Sequence, residues 1–258
     1  GSDLNGAAVR VACETLRGRL ARVAAETFRT PPEALTFRNG RIARSDTGAS
    51  MAFTDAVSQA YLERVSLFAT GHYATPDLHF DKQKGTGKPF HYYAYGAAAT
   101  EVEVDAWTGQ YRIRRVDILQ DVGDSISPLV DRGQIEGGFI QGLGWLTTEE
   151  LVWSGKGTLQ TAGASTYKLP TLGECPDDFR VELLKRASEP GVVYGSKAVG
   201  EPPLMLAISA REALREAVAA FGSGGIVELG CPSTPEAVFW AIERARKQRL
   251  PGDETDGA

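Results

Sequence analysis

An α+β fold, with antiparallel and mixed sheets beneath packed helices, is the architecture that the sequence predicts. Three observations predict it: a long helical stripe at the start, extended segments joined by hairpin turns, and glycine-marked helical segments whose apolar spacing suits packing over a sheet. The 258 residues exceed the usual single domain of about 100–200, so one large or two intimate α+β subdomains are expected over residues 1–250. The acidic, glycine-containing end, 251–258, reads as a disordered tail.

Asp3 is placed to cap a helix from about Leu4 to Phe28, along which Leu4, Ala8, Val11, Ala12, Leu16, Leu20 and Val23 form one apolar stripe. A cap so close to the first residue implies that something precedes it, in a longer chain or on another subunit. Thr30-Pro31-Pro32 stops that helix, and Leu35-Thr36-Phe37 and Arg41-Ile42-Ala43 flank Asn39-Gly40, the strongest short hairpin signal in the chain. Phe53, Val57, Ala60 and Tyr61 space a short helix, followed by an apolar strand at Val65 to Thr70. The polar stretch from Thr75 to Lys88 reads as a mobile, solvated loop or a partner contact. Phe90 to Val104 and Tyr111 to Leu119 are strand-rich, with Asp105 to Gln110 as the hairpin loop between them. Alternation from Thr100 to Asp105 leaves Glu101 and Glu103 on a wet face. Further on, Ser154 to Gly157 is a turn, Phe179 to Leu184 a strand, and Pro232-Ser233-Thr234-Pro235-Glu236 caps a last helix through Trp240 and Ile242.

Charge and composition exclude several functions. The net charge of −5 comes from 28 basic and 33 acidic residues that are interspersed, and no basic stripe tracks a phosphate backbone, which argues against nucleic acid. The apolar runs are far short of the ~20 residues a membrane span needs, and no signal pattern opens the chain, so a soluble cytoplasmic protein is expected. Cys13, Cys175 and Cys231 are odd in number and widely spaced, which suits reduced thiols; Cys13 is expected to pack on an apolar helix face. His72, His79 and His91 lack the spacing of paired metal ligands, and His91 reads as a strand-face residue in His91-Tyr92-Tyr93-Ala94-Tyr95. Phosphate-binding loops are absent, so nucleotide chemistry by this chain alone is disfavoured.

Two stretches carry candidate chemistry. Gly195-Ser196-Lys197-Ala198-Val199-Gly200-Glu201-Pro202-Pro203-Leu204-Met205-Leu206 delivers a carboxylate, Glu201, to the start of a helix, because Pro202 suits a first helical turn. Apolar Leu204, Ile208, Leu214 and Val218 anchor that helix. Glu201 is either an acid well placed at a helix dipole or a catalytic carboxylate. Between Val130 and Gly144, five glycines interrupt a helical pattern of Ile135, Phe139, Ile140 and Leu143, each costing about 1 kcal/mol relative to alanine. Such a face admits another backbone or a flat ligand, and Gln134 and Gln141, seven apart, share one side of it. Both uses stand on these residues alone.

Taken in order, Asp121-Val122-Gly123, Gly133-Gln134-Ile135-Glu136-Gly137, Phe139-Ile140-Gln141-Gly142-Leu143-Gly144, Ser165-Thr166-Tyr167-Lys168-Leu169-Pro170 and Ser196-Lys197-Ala198-Val199-Gly200-Glu201-Pro202-Pro203-Leu204 resemble one family. It is the C-terminal half of the molybdopterin-binding region of xanthine dehydrogenases, within the molybdenum hydroxylases. The resemblance runs from about Asp3-Leu4-Asn5-Gly6 to Pro232-Ser233-Thr234-Pro235-Glu236, and Thr147-Thr148-Glu149-Glu150-Leu151 looks closer to xanthine dehydrogenase than to the aldehyde and carbon monoxide branches.

By that resemblance, Glu201 matches the active-site glutamate, the general base in a hydroxylation that takes its oxygen from water. Gln134 matches a glutamine that contacts the pterin, Gly200 a glycine beside the metal where a side chain would collide, and Ser2 the edge of another pterin-contact loop. The implied cofactor is molybdopterin with its molybdenum, which the pterin itself holds, so no metal ligand is expected from this chain. Iron–sulfur clusters of the 2Fe-2S type and FAD are expected on other domains or subunits. The implied substrate is a purine, hypoxanthine or xanthine, and the implied partners are the earlier half of the molybdenum region and the iron–sulfur and flavin domains, in an oligomer. The chain would then be a C-terminal fragment or one piece of a split subunit, inactive alone. Two alternatives are another aldehyde or N-heterocycle hydroxylase of the family, and a non-catalytic assembly fragment in which Glu201 only caps a helix.

Overall fold

The computed structural model describes residues 1–185 and 187–247, so the tail expected to be disordered lies outside the described residues. The chain divides into two compact units: Gly1–His91 with Gly191–Val193, and Tyr92–Pro190 with the chain from Tyr194 onward.

The first unit opens with α1 (Leu4–Phe28). Strands β1 (Leu35–Arg38) and β2 (Arg41–Arg44) pair antiparallel with Arg38 opposite Arg41, which leaves only Asn39 and Gly40 to turn the chain. Both have positive φ, 49° and 68°, the conformation that makes Asn-Gly a hairpin signal. β3 (Ser50–Ala52) pairs antiparallel with β2 and runs directly into α2 (Phe53–Leu62). Ile42 from this sheet is wholly buried against Ala24 of α1 and Ala56 of α2.

Several details of this unit depart from expectation. Beyond Ala7, burial on α1 starts only at Leu20, and Leu4 and Val11 are exposed, because its core partners Leu35, Ile42, Ala56 and Ala60 cluster at the C-terminal half. Cys13 is exposed rather than packed; it lies one residue, about 100°, off the row of Ala12, Leu16 and Leu20. Asp3 holds the cap position but makes no side-chain capping bond, since its own backbone is already helical (φ −67°, ψ −76°). Val65 to Thr70 forms no strand: the Arg19 guanidinium donates to the carbonyls of Ser66 and Phe68 at 3.0 and 2.7 Å, taking acceptors a neighbouring strand would need. The expected loop between Thr75 and Lys88 contains a hairpin, β4 (His79–Asp81) against β5 (Thr86–Lys88), turned where the Asp81 carboxylate accepts from the N–H groups of Gln83 and Lys84.

The second unit is built on a mixed sheet in which β6 (Gly96–Val104) runs antiparallel and β8 (Asp178–Leu183) parallel to the central β7 (Tyr111–Gln120). The Asp105 carboxylate organises the β6–β7 loop, accepting from the Trp107 N–H and the Thr108 hydroxyl. Glu101 and Glu103 are exposed, as the alternation requires. The strand-rich stretch expected from Phe90 begins only at Gly96, so His91 is not on a strand. Helix α3 (Pro128–Thr147) buries Ile135, Phe139, Leu143 and Leu146 on Val116, Ile118 and Val181 of the sheet. Each such side chain contributes roughly 1.5–3 kcal/mol on burial. A second cluster joins Leu214 and Val218 of α4 (Ile208–Ala219) to Val238 and Ile242 of α5 (Pro235–Lys247). Thr234 caps α5 by accepting from the Ala237 N–H at 3.2 Å. Among the described residues no helix is long and apolar enough to cross a membrane.

Candidate active site

The stretches Asp121-Val122-Gly123 and Gly195-Ser196-Lys197, far apart in sequence, form a short antiparallel pairing. Gly123 bridges Ser196, the Lys197 N–H donates to the Val122 carbonyl, and the Asp124 N–H to the Gly195 carbonyl, both at 2.8 Å. The approach is too close for a side chain at Gly123, whose φ is 65° and whose Cβ would strike the Gly195 carbonyl oxygen.

Lys197 then turns inward. Its ammonium donates to Asp121 Oδ2 at 2.5 Å and to the Tyr93 carbonyl at 2.9 Å, has Glu189 Oε2 at 3.5 Å, and lies 5.9 Å from the ring centres of both Tyr92 and Tyr95. Both members of the Lys197–Asp121 pair are buried, at 7% and 4% side-chain exposure. Burial alone would lower the Lys197 pKa, but the hydrogen bond and charge of Asp121, reinforced by Glu189, hold it above its ordinary value. The next two residues are held as well, since the Ala198 N–H donates to the Tyr92 hydroxyl at 2.8 Å and Val199 is buried in the core. Gly200 and Glu201 follow, and both are exposed.

Glu201 does not head an α-helix. Pro202–Ala207 is a 3-10 helix, and the α-helix starts only at Ile208, itself more than a third exposed. Pro203 offers no N–H for the Glu201 side chain to accept from, and the Leu204 N–H donates to the Glu201 carbonyl at 3.1 Å, so the carboxylate caps nothing. This turn explains part of the glycine pattern in α3. A Cβ on Gly138 would lie 3.1 Å from Pro203 Cβ, and one on Gly142 would strike the Leu204 carbonyl oxygen and come within 2.8 Å of Ala207 Cβ. Gly133 and Gly137, in contrast, have nothing within 4 Å of that position. One side of the helix therefore receives the turn, at Gly138 and Gly142, and the side with Gly133 and Gly137 is bare.

Gln134 is exposed on the bare side, as is Gln141, and its Oε1 would be 3.7 Å from a Cβ at Gly200. The fold thus brings Gln134, Gly200 and Glu201 together within the second unit. Ser2 belongs to the first unit, exposed in the turn before α1. The Lys197–Asp121–Tyr92 cluster was not foreseen as part of the site. The partners of its ion pair are 76 residues apart, and the one available signal was a lysine set among Ser196, Ala198 and Val199 in a stretch otherwise read as glycine-rich turn and core.

Residues 1–176 match the family model described as Molybdopterin cofactor-binding domain. The chain is 42% identical to xanthine dehydrogenase/oxidase of Felis catus over 92% of its own length, and 42% identical to xanthine dehydrogenase of Oryza sativa subsp. japonica over 93%. It spans 17% of the length of each of these relatives. Among solved structures it is similar to quinoline 2-oxidoreductase from Pseudomonas putida 86, with a TM-score of 0.72 and 26% identity, covering 90% of this chain and 28% of that one. The resemblance carried by the five motifs is borne out, and so is the α+β class. The chain belongs to the molybdopterin cofactor-binding domain family, with xanthine dehydrogenases among its relatives.

Proposed function

We propose that this chain is part of a xanthine dehydrogenase-like molybdenum hydroxylase and supplies the general base, Glu201, for hydroxylating hypoxanthine or xanthine with oxygen from water. The observation that carries the reading is the open space at Gly200. Nothing inside the unit forbids a side chain there, as the nearest atom, Gln134 Oε1, would be at ordinary contact distance, so room is left for a group from outside the chain. The Gln134 amide beside it can both donate and accept, which suits the edge of a polar heterocycle. The bare backbone at Gly133 and Gly137 extends the same rim. These residues fit molybdopterin, and Gln134 and Gly200 would hold it. When bound, that cofactor supplies the oxidising metal centre of the reaction.

The chain's own part is to present a carboxylate that takes up a proton. Glu201 is exposed and uses neither oxygen to cap the following turn, so it is available to a reacting group. Because it is exposed here, water exclusion falls to the rest of the enzyme, which we take to include the earlier half of the molybdenum region and iron–sulfur and flavin domains, as an oligomer in the cytoplasm. Relatives named xanthine dehydrogenase, at about 40% identity, support the purine over other substrates.

The test uses the full-length enzyme, with molybdenum and pterin measured per chain and steady-state rates on xanthine and on an aromatic aldehyde. Xanthine should be the faster substrate, and Gln134→Ala should lower retained pterin. A faster aldehyde would move the substrate to the aldehyde branch, and a protein carrying neither molybdenum nor pterin would leave only an assembly role.

A further inference from the structure

The buried ammonium of Lys197 neither touches the bare rim nor exchanges a proton in the reaction proposed above, yet three separate segments converge on it. Asp121 comes from the end of β7, Tyr92 and Tyr93 from the approach to β6, Tyr95 from just before that strand, and Glu189 from the connection after β8. We propose that Lys197 is a positioning residue that sets the place of Glu201 by clamping the turn four residues before it; the proposal rests on the reading of Glu201 as the base.

The chain between them leaves little slack. The Lys197 N–H is bonded to Val122, the Ala198 N–H to the Tyr92 hydroxyl, and the Val199 side chain is packed in the core, so Gly200 is the single joint before the carboxylate. On the other side, the 3-10 turn is seated on the glycine face of α3 through Pro203, Leu204 and Ala207. Glu201 is therefore held between two anchors, one ionic and one of close packing. A buried ion pair is a poor means of gaining stability, because desolvating both charges offsets their attraction; its better-attested use is to specify one arrangement over others. Lys197 has the features of that use, with its donors directed at the Tyr93 carbonyl and at Asp121, whose other carboxylate oxygen accepts from the Gly123 N–H.

The experiment compares, in the full-length enzyme, Lys197→Met/Asp121→Asn, which removes both charges of the buried pair and leaves only the partly exposed Glu189 without its lysine, with Lys197→Arg and with Glu201→Gln as reference. We expect the double variant to load molybdenum as the wild type does, with KM within about threefold and kcat down about tenfold to a hundredfold. Lys197→Arg should retain more kcat than the double variant. Hydrogen exchange read by mass spectrometry should quicken in peptides covering residues 196–204 of the double variant. Wild-type kcat in that variant, or unchanged exchange there, overturns the proposal. If instead Glu201→Gln keeps wild-type kcat, the base reading fails, and faster exchange in the double variant would still show the clamp as a separate result. Should the double variant not accumulate, exchange in the wild-type enzyme decides: the amides of Lys197 and Ala198 must be far slower than those of Gly200 and Glu201, and equal rates overturn the clamp.

Discussion

The carbonyl oxygen of Leu204 occupies the space that a side chain at Gly142 would need, so the turn after Glu201 and the middle of α3 meet backbone to backbone. Gly142→Ala forces that contact apart and is expected to cost about 1–3 kcal/mol. In a chain of this length each kcal/mol corresponds to roughly 2–4 °C in Tm. Gly137→Ala meets open space and should instead gain up to about 1 kcal/mol from helix propensity. Scanning calorimetry of the two variants separates a glycine kept for packing from one that folding does not require.

Tyr111 offers a test at high pH. Its hydroxyl donates to the Ser233 carbonyl at 2.8 Å, and burial pushes its pKa up to about 12, against a smaller opposing effect of Thr147 and with a minor push from Glu174. The folded-state value is raised, so the stabilisation is complete below the ordinary phenol value near pH 10 and is lost as pH climbs toward 12. Urea unfolding of wild type and Tyr111→Phe should show a gap that narrows over that window by at most about 2–3 kcal/mol. A gap independent of pH between 9 and 11, taken as roughly bracketing the start of that window, would mean that the phenol is not desolvated.

In the first unit, Ile42 is flanked by Ala24 and Ala56, all three fully buried. Its cross-strand partners Phe37 and Met51 are large enough to lean partly into a void while the two alanines are not, so Ile42→Ala should fall within the range of about 2–5 kcal/mol for such truncations. Amide protection in β1 and β2 should drop with it. A loss below about 1 kcal/mol would mean that the hairpin and helices relax around the gap.

The legible parts of the fold were those with local causes. Asn39-Gly40 demanded two positive φ angles, Thr234 could cap α5 within its own turn, and alternation at Glu101 and Glu103 needed only one wet face. Less legible were features decided by partners distant in sequence. Val65 to Thr70 looked like a strand until Arg19 took its carbonyls, and the Leu4 to Val23 stripe on α1 could not reveal that core residues gather at one end. At the candidate site, the motif order identified the family and named Glu201, Gln134 and Gly200. It did not reveal that a 3-10 turn precedes the α-helix after Glu201, or that Lys197 and Asp121, 76 residues apart, are one buried pair.

The most direct test of Glu201 as the base is kcat of the full-length enzyme carrying Glu201→Gln, with molybdenum content measured on the same preparation. The residue is exposed and caps nothing, so folding and metal loading should be unchanged while turnover falls by about 10²–10⁴-fold. Turnover retained within a few fold, at wild-type molybdenum content, would contradict the role given to Glu201.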